Sequence, residues 1–118
     1  MPGEHPSSEI LQRLTDVIAD RRQRQPENSY TARLLAAGLS TIAAKITEEA
    51  AEVVAAGALP GEAGRQQVVC ESADLVFHLL VLLNWSGAKF SDVEAELERR
   101  FGISGLEEKA TRESQHEQ

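Results

Sequence analysis

Two short acidic clusters, Glu48-Glu49-Ala50-Ala51-Glu52 and Glu71-Ser72-Ala73-Asp74, are the groups in this sequence best suited to chemistry. Each sits inside an apolar stretch with helical periodicity. If Glu49 is set at the centre of a helical face, at about 100° per residue, Ile42, Ile46 and Val53 fall within roughly 60° of it and Ala56 lies close by. Glu52, three positions on, and Lys45, four positions back, flank the same stripe. In the second cluster Asp74 has Glu71 behind it, Phe77 and His78 ahead, and Val81 and Trp85 further along that face. A buried, unpaired carboxylate is costly, and a cluster of them also repels itself. Lys45 is the only cation written into either cluster, and one lysine does not balance Glu48, Glu49, Glu52, Glu71 and Asp74. A divalent cation does, and an all-carboxylate donor set favours Mg²⁺ or Mn²⁺ over Zn²⁺, which takes Cys and His.

Carboxylates at i and i+3 on a helix have Cβ atoms about 5–6 Å apart, close enough to share a cation. Glu49-x-x-Glu52 and Glu71-x-x-Asp74 would supply four convergent groups if their helices pack antiparallel. A lone pair of acids at this spacing is common on solvated helices. Two pairs on apolar faces are more specific, and the second acidic helix has no Arg or Lys after Arg65 to make a salt-bridged surface.

The elements that carry these groups follow from the pattern of the chain. Its 118 residues form one domain, and 42% hydrophobic content is enough for a core. Only five residues are aromatic, so Ala, Leu, Val and Ile must build that core. A first helix is predicted from Ser7 or Ser8 to about Arg22, with Ile10, Leu11, Leu14, Val17 and Ile18 on one buried stripe. Pro26 breaks it, and Asn28, Ser29 and Thr31 are turn or cap residues ahead of a short helix over Ala32 to Ala37. The acidic helices are predicted over about Ser40–Ala56 and Arg65–Trp85, joined by an open connection from Gly57 to Gly64. The second is apolar all round from Leu75 to Leu83 apart from His78, which suits a central helix or one facing a partner subunit. Ser91-Asp92-Val93-Glu94 has capping-box spacing and opens a surface helix to about Arg100. The reading is all-α: a bundle of four to five helices over residues 8–112, its core completed by self-association. Residues 1–7 and 113–118 are expected to be flexible ends.

The net charge of −7 argues against a nucleic-acid binder but not against a metal-borne polyphosphate. Cys70 is the only cysteine, and Val68 and Val69 beside it suggest a buried thiol. The first residues lack a basic segment followed by an apolar one, and Leu75 to Leu83 falls short of the roughly 20 residues that span a bilayer. The expectation is a soluble cytoplasmic protein with no membrane partner.

The arrangement resembles the all-α nucleoside triphosphate pyrophosphohydrolase (MazG-like) superfamily, whose pattern is EExxE followed by ExxD on the next long helix. Within it the chain looks like the phosphoribosyl-ATP pyrophosphatases. The narrower likeness rests on Val17-Ile18-x-x-Arg21, on Pro26-Glu27-Asn28-Ser29-Tyr30-Thr31, and on the acidic helices from Lys45 to Val53 and Glu71 to Leu83. It extends to Ser104-Gly105-Leu106-Glu107-Glu108-Lys109-Ala110. Phe77 departs from it, since many relatives carry Tyr there. No His/Cys-rich cyclohydrolase region precedes the domain, which suits a monofunctional form.

The resemblance implies hydrolysis of phosphoribosyl-ATP to phosphoribosyl-AMP and pyrophosphate, the second step of histidine biosynthesis. It implies Glu49, Glu52, Glu71 and Asp74 as Mg²⁺ ligands and Glu48 as the group that orients or deprotonates the attacking water. The division between Glu48 and the ligands stays open, because adjacent side chains differ by about 100° and helix packing decides. Lys45 would offset phosphate charge, or simply pair with Glu49. His78 would hydrogen-bond Asp74 from outside the ligand set, or be a satisfied core histidine. Ser29, Tyr30 and Thr31 at a helix N-terminus, with Arg21, Arg100 and Lys109, are candidates for substrate phosphates, as are Arg33, Arg99 and Arg112. A homodimer or higher homo-oligomer is expected. Two rivals stand beside this reading: a house-cleaning (d)NTP pyrophosphohydrolase of the same superfamily, and a non-catalytic helical interaction module.

Overall fold

The apolar periodicity resolves into five helices in a computed structural model that describes residues 6–102, with side chains from residue 9 onward. They are α1 (Pro6–Arg24), α2 (Tyr30–Ala37), α3 (Leu39–Gly57), α4 (Gly61–Trp85) and α5 (Phe90–Phe101), and no strand occurs among the described residues. The fold is all-α, as the sequence predicts.

Helix α1 ends on Arg21, Arg22 and Arg24, whose charges suit the negative end of the helix dipole. Its stripe does not bury evenly. Ile18 is enclosed and Leu11 and Leu14 are half-buried, while Ile10 and Val17 stay exposed among the described residues. Ser29 caps α2, its hydroxyl oxygen accepting from the Ala32 N–H at 3.0 Å. Gly38 then serves two helices. At φ +93° it closes α2, donating its N–H to the Leu34 carbonyl, and it is also the residue from which α3 starts. A side chain at that φ would be strained, which is why glycine occupies the corner.

Ile42, Glu49 and Ala56 are the buried residues of α3, seven apart on one face. The connection to α4 is only Ala58-Leu59-Pro60, much tighter than the open segment expected, and α4 begins four residues earlier than predicted. Gly64 makes this possible: a Cβ there would lie 2.2 Å from the Leu59 carbonyl oxygen. So short a link between two long, closely packed helices makes α3 and α4 an antiparallel hairpin. The N-terminus of α5 also differs from expectation. The helix starts at Phe90, whose ring packs on the core, so Lys89 is the cap and its N–H bonds to Asp92 Oδ2 at 2.9 Å. The Ser91–Glu94 box predicted from sequence is two positions out of phase with it.

The core joins Ile18 of α1, Leu34 and Leu35 of α2, Ile42 of α3, and Leu80 and Val81 of α4. Helix α5 buries no residue fully and packs chiefly on α1. Arg22 Nη1 donates to the Asn84 carbonyl at 2.6 Å and ties the end of α1 to the end of α4.

Candidate active site

The antiparallel hairpin brings three of the predicted acids together. Glu49, Glu52 and Glu71 each offer one carboxylate oxygen, and the three oxygens lie within 4.8 Å of one another. Glu49 is buried at 6% exposure, Glu71 is half-buried and Glu52 is exposed. The cluster therefore runs from the core to solvent, open to a ligand at one end. Asp74, one turn along α4, is exposed and stands outside this triad.

The electrostatics show how crowded the acids are. Glu52 holds its proton above the ordinary carboxylate value, first because it hydrogen-bonds Glu71, with lost hydration and repulsion from Glu71, Glu48 and Glu49 adding to the effect. Repulsion among carboxylates this close is of the kind a bound cation relieves. Glu71 also accepts from Gln67 Nε2. Glu49 Oε1 is buried and accepts no hydrogen bond, although His78 Nδ1 lies only 2.8 Å away. The proximity and the missing bond are compatible: the ring N–H is aimed at the main-chain carbonyl of Asp74, 2.9 Å away, and is out of line for the carboxylate. A buried carboxylate oxygen with a free lone pair beside two further carboxylates is a donor set that fits a hard divalent cation.

Lys45 pairs with Glu48, Nζ to Oε1 at 3.0 Å, and not with Glu49. That bond leads the causes that hold its ammonium above the ordinary lysine value. Glu48 is exposed and turned off the buried face, as its 100° offset from Glu49 requires. His78 is buried, and its ring meets the Asp74 carbonyl and Glu49; no bond joins it to the Asp74 carboxylate. The sequence gives no hint that Tyr30 reaches His78 Nε2 at 2.9 Å across from α2. Tyr30, Phe77 and His78 form an aromatic group beside the acids, with Phe77 edge-on to the imidazole at 5.0 Å.

Of the other candidates, Ser29 spends its oxygen lone pair on the α2 cap, and Thr31 is half-buried in the first turn. Arg21 bonds Asp20 at 2.7 Å. Arg99 and Arg100 both hold Glu96, whose carboxyl they push down to about 2. Arg33 is exposed on α2, while Lys109 and Arg112 lie outside the described residues. Cys70 is exposed, not buried as expected, because it faces away from α3 and the core.

A sequence model of the phosphoribosyl-ATP pyrophosphohydrolases matches residues 11–101, a span that takes in every helix bearing these groups. The chain belongs to that family. Its relatives include the phosphoribosyl-ATP pyrophosphatase of Erythrobacter litoralis, 54% identical over 102 residues covering 86% of this chain and 95% of the relative. The enzyme of that name from Novosphingobium aromaticivorans is 52% identical over 88% of this chain and 94% of its own. That from Paracoccus denitrificans is 46% identical over 95% and 99%. A pyrophosphohydrolase family and a convergent acidic triad describe one kind of site. The family hydrolyses phosphoric anhydrides, and the triad can hold the metal ion such chemistry calls on.

Proposed function

We propose that this chain hydrolyses phosphoribosyl-ATP to phosphoribosyl-AMP and pyrophosphate, the second step of histidine biosynthesis, with Mg²⁺ held by Glu49, Glu52 and Glu71 and with Asp74 at the edge of the site. The observation that carries the reading is the convergence of the three carboxylates within 4.8 Å of one another, the innermost of them buried. Such a cation (Mn²⁺ being the natural substitute) neutralises phosphate charge and lowers the pKa of bound water. Glu48 orients the attacking water and accepts its proton, and Lys45 meets phosphate charge from the same turn. The two form a 3.0 Å ion pair that a substrate would have to separate. It is a solvent-screened pair, so opening it costs little. Ser29 and Thr31 at the start of α2, with Arg21, donate to the substrate's phosphates. The deciding assay is pyrophosphate release from phosphoribosyl-ATP and from a panel of dNTPs, with and without Mg²⁺. Release from phosphoribosyl-ATP that stops in chelator is expected; preferential turnover of dNTPs overturns the substrate, and no turnover overturns the activity.

The active unit in this reading is a homodimer or larger homo-oligomer in the cytoplasm. Helix α4 is long and apolar enough by composition to cross a membrane, yet only 17% of its most apolar window is buried within one chain. Val69 and Leu79 on α4, Val54 on α3 and Ile10 on α1 are all exposed. Lipid is the poorer cover for α4, because Glu71 and Asp74 lie partway along it and an acidic side chain near the bilayer centre costs about 2.5–3.5 kcal/mol. A second copy of the chain covers the apolar face and leaves the acids in water.

A further inference from the structure

Tyr30 presents an open aromatic ring at the edge of the acidic site, and the hydrolysis as proposed makes no use of it. Among the described residues, which include all five aromatics of the chain, Tyr30 alone of the five is exposed, at 43%. Phe77, Trp85, Phe90 and Phe101 are half-buried. The Tyr30 ring is nonetheless held in place. Its hydroxyl lies 2.9 Å from His78 Nε2, and Phe77 backs it near-parallel, with centroids 6.3 Å apart and planes inclined by 27°. The imidazole meets it edge-on at 5.9 Å. The result is a fixed platform that keeps apolar surface in water. Glu49 Oε1 lies 2.8 Å from Nδ1 of the same imidazole, so the width of one histidine ring separates the tyrosine hydroxyl from the acidic triad.

A metal-borne triphosphate has no use for an aromatic ring, but a nucleobase does. Bases stack on aromatic faces whatever their hydrogen-bonding edges, and a ring already fixed loses little freedom when one arrives. In phosphoribosyl-ATP the base is the middle of the molecule, with the triphosphate on one side and the phosphoribosyl group on the other. Tyr30 has a matching place: it opens α2, and its ring reaches across to α4 beside the triad. Resting on the reading of the triad as the seat of metal and triphosphate, we infer that Tyr30 binds the nucleoside part of the substrate, the adenine base stacking on its exposed face. The hydroxyl aims the ring through His78 and meets no phosphate.

Tyr30 is the only tyrosine, so its ring resonances are assigned without any substitution. With Mg²⁺ present, an ATP analogue carrying a methylene bridge between the α and β phosphorus atoms should move those resonances upfield, the ring-current mark of a stacked base. Inorganic tripolyphosphate, which has no base, should bind and leave them in place. In calorimetry Tyr30→Ala should weaken the analogue roughly 5- to 150-fold and leave tripolyphosphate affinity unchanged. Tyr30→Phe keeps the stacking face and should bind both ligands nearly as the unaltered chain does, with the KM for phosphoribosyl-ATP following the same order. Ring resonances that ignore the bound analogue overturn the inference. So does a Tyr30→Phe variant that loses tripolyphosphate, which would make the hydroxyl a phosphate contact, or a folded Tyr30→Ala variant that loses both ligands equally. Should Tyr30→Ala lose its helical circular dichroism, the resonances and Tyr30→Phe decide. If neither ligand binds the unaltered chain with Mg²⁺, the reading of the triad falls and this inference with it, and that is seen before any substitution is made.

Discussion

Glu49 occupies a position where an ordinary bundle would carry leucine, buried in line with Ile42 and Ala56. Glu49→Gln or Glu71→Gln should lower pyrophosphate release at least about 100-fold and abolish cation uptake in calorimetry. Helical circular dichroism should persist, because each change relieves like-charge crowding. Glu52 gives the pH dependence. Its folded-state pKa lies above the ordinary 4.5 through the bond to Glu71, so the stability it contributes is full below that value and is lost as pH rises through the raised one. In chelator, then, the urea midpoint should fall as pH rises above the ordinary carboxylate value, and Glu52→Gln should flatten that slope. Glu96 works in the opposite sense: held near 2 by Arg99 and Arg100, its contribution is present above the ordinary carboxylate value and disappears only as pH falls toward 2. The face that Glu49 shares with Ile42 was readable from spacing, since both belong to one helix. The partners of His78 were not, because they depend on how far α3 slides along α4 and on where the start of α2 lands. Cys70 was misread from its neighbours Val68 and Val69, although residues adjacent on a helix point about 100° apart.

At the scale of the elements, the helices are legible from apolar period and their ends much less so. Glycines account for the largest error. Gly61 and Gly64 look like loop composition, but Gly64 lies inside α4 where its first turn meets the Leu59 carbonyl. Gly64→Ala should open the α3–α4 turn and destabilise the fold by about 1–3 kcal/mol in urea titration, the usual cost of forcing atoms into filled space. It should also depress cation affinity, since this turn sets the register of Glu49 and Glu52 against Glu71. Ser29→Ala should cost about 1 kcal/mol through loss of the α2 cap and, through the proposed phosphate contact of the hydroxyl, should raise the KM for phosphoribosyl-ATP. For α5, capping-box spacing signals a helix but not its starting residue, which is set by Phe90 reaching the core.

For the molecule as a whole, the all-round apolar run of α4 signalled more interior than one chain of this length provides. The fold leaves that surplus visible: Val54 is 76% exposed and Val69 54%. Val69→Glu should shift a sedimentation profile toward monomer at micromolar concentration, with helicity retained; an unchanged assembly would place the interface elsewhere. The sequence could not give the orientation of the proposed assembly, because exposed valines mark an apolar face and not the residues that would cover it. Gly38 carries a last consequence. As the end of α2 and the origin of α3 together, it leaves no slack between them, so a movement of α2 turns the first coil of α3 instead of being absorbed by a loop. Under deuterium exchange the amides of both segments should open as one cooperative unit, at a rate apart from that of α5.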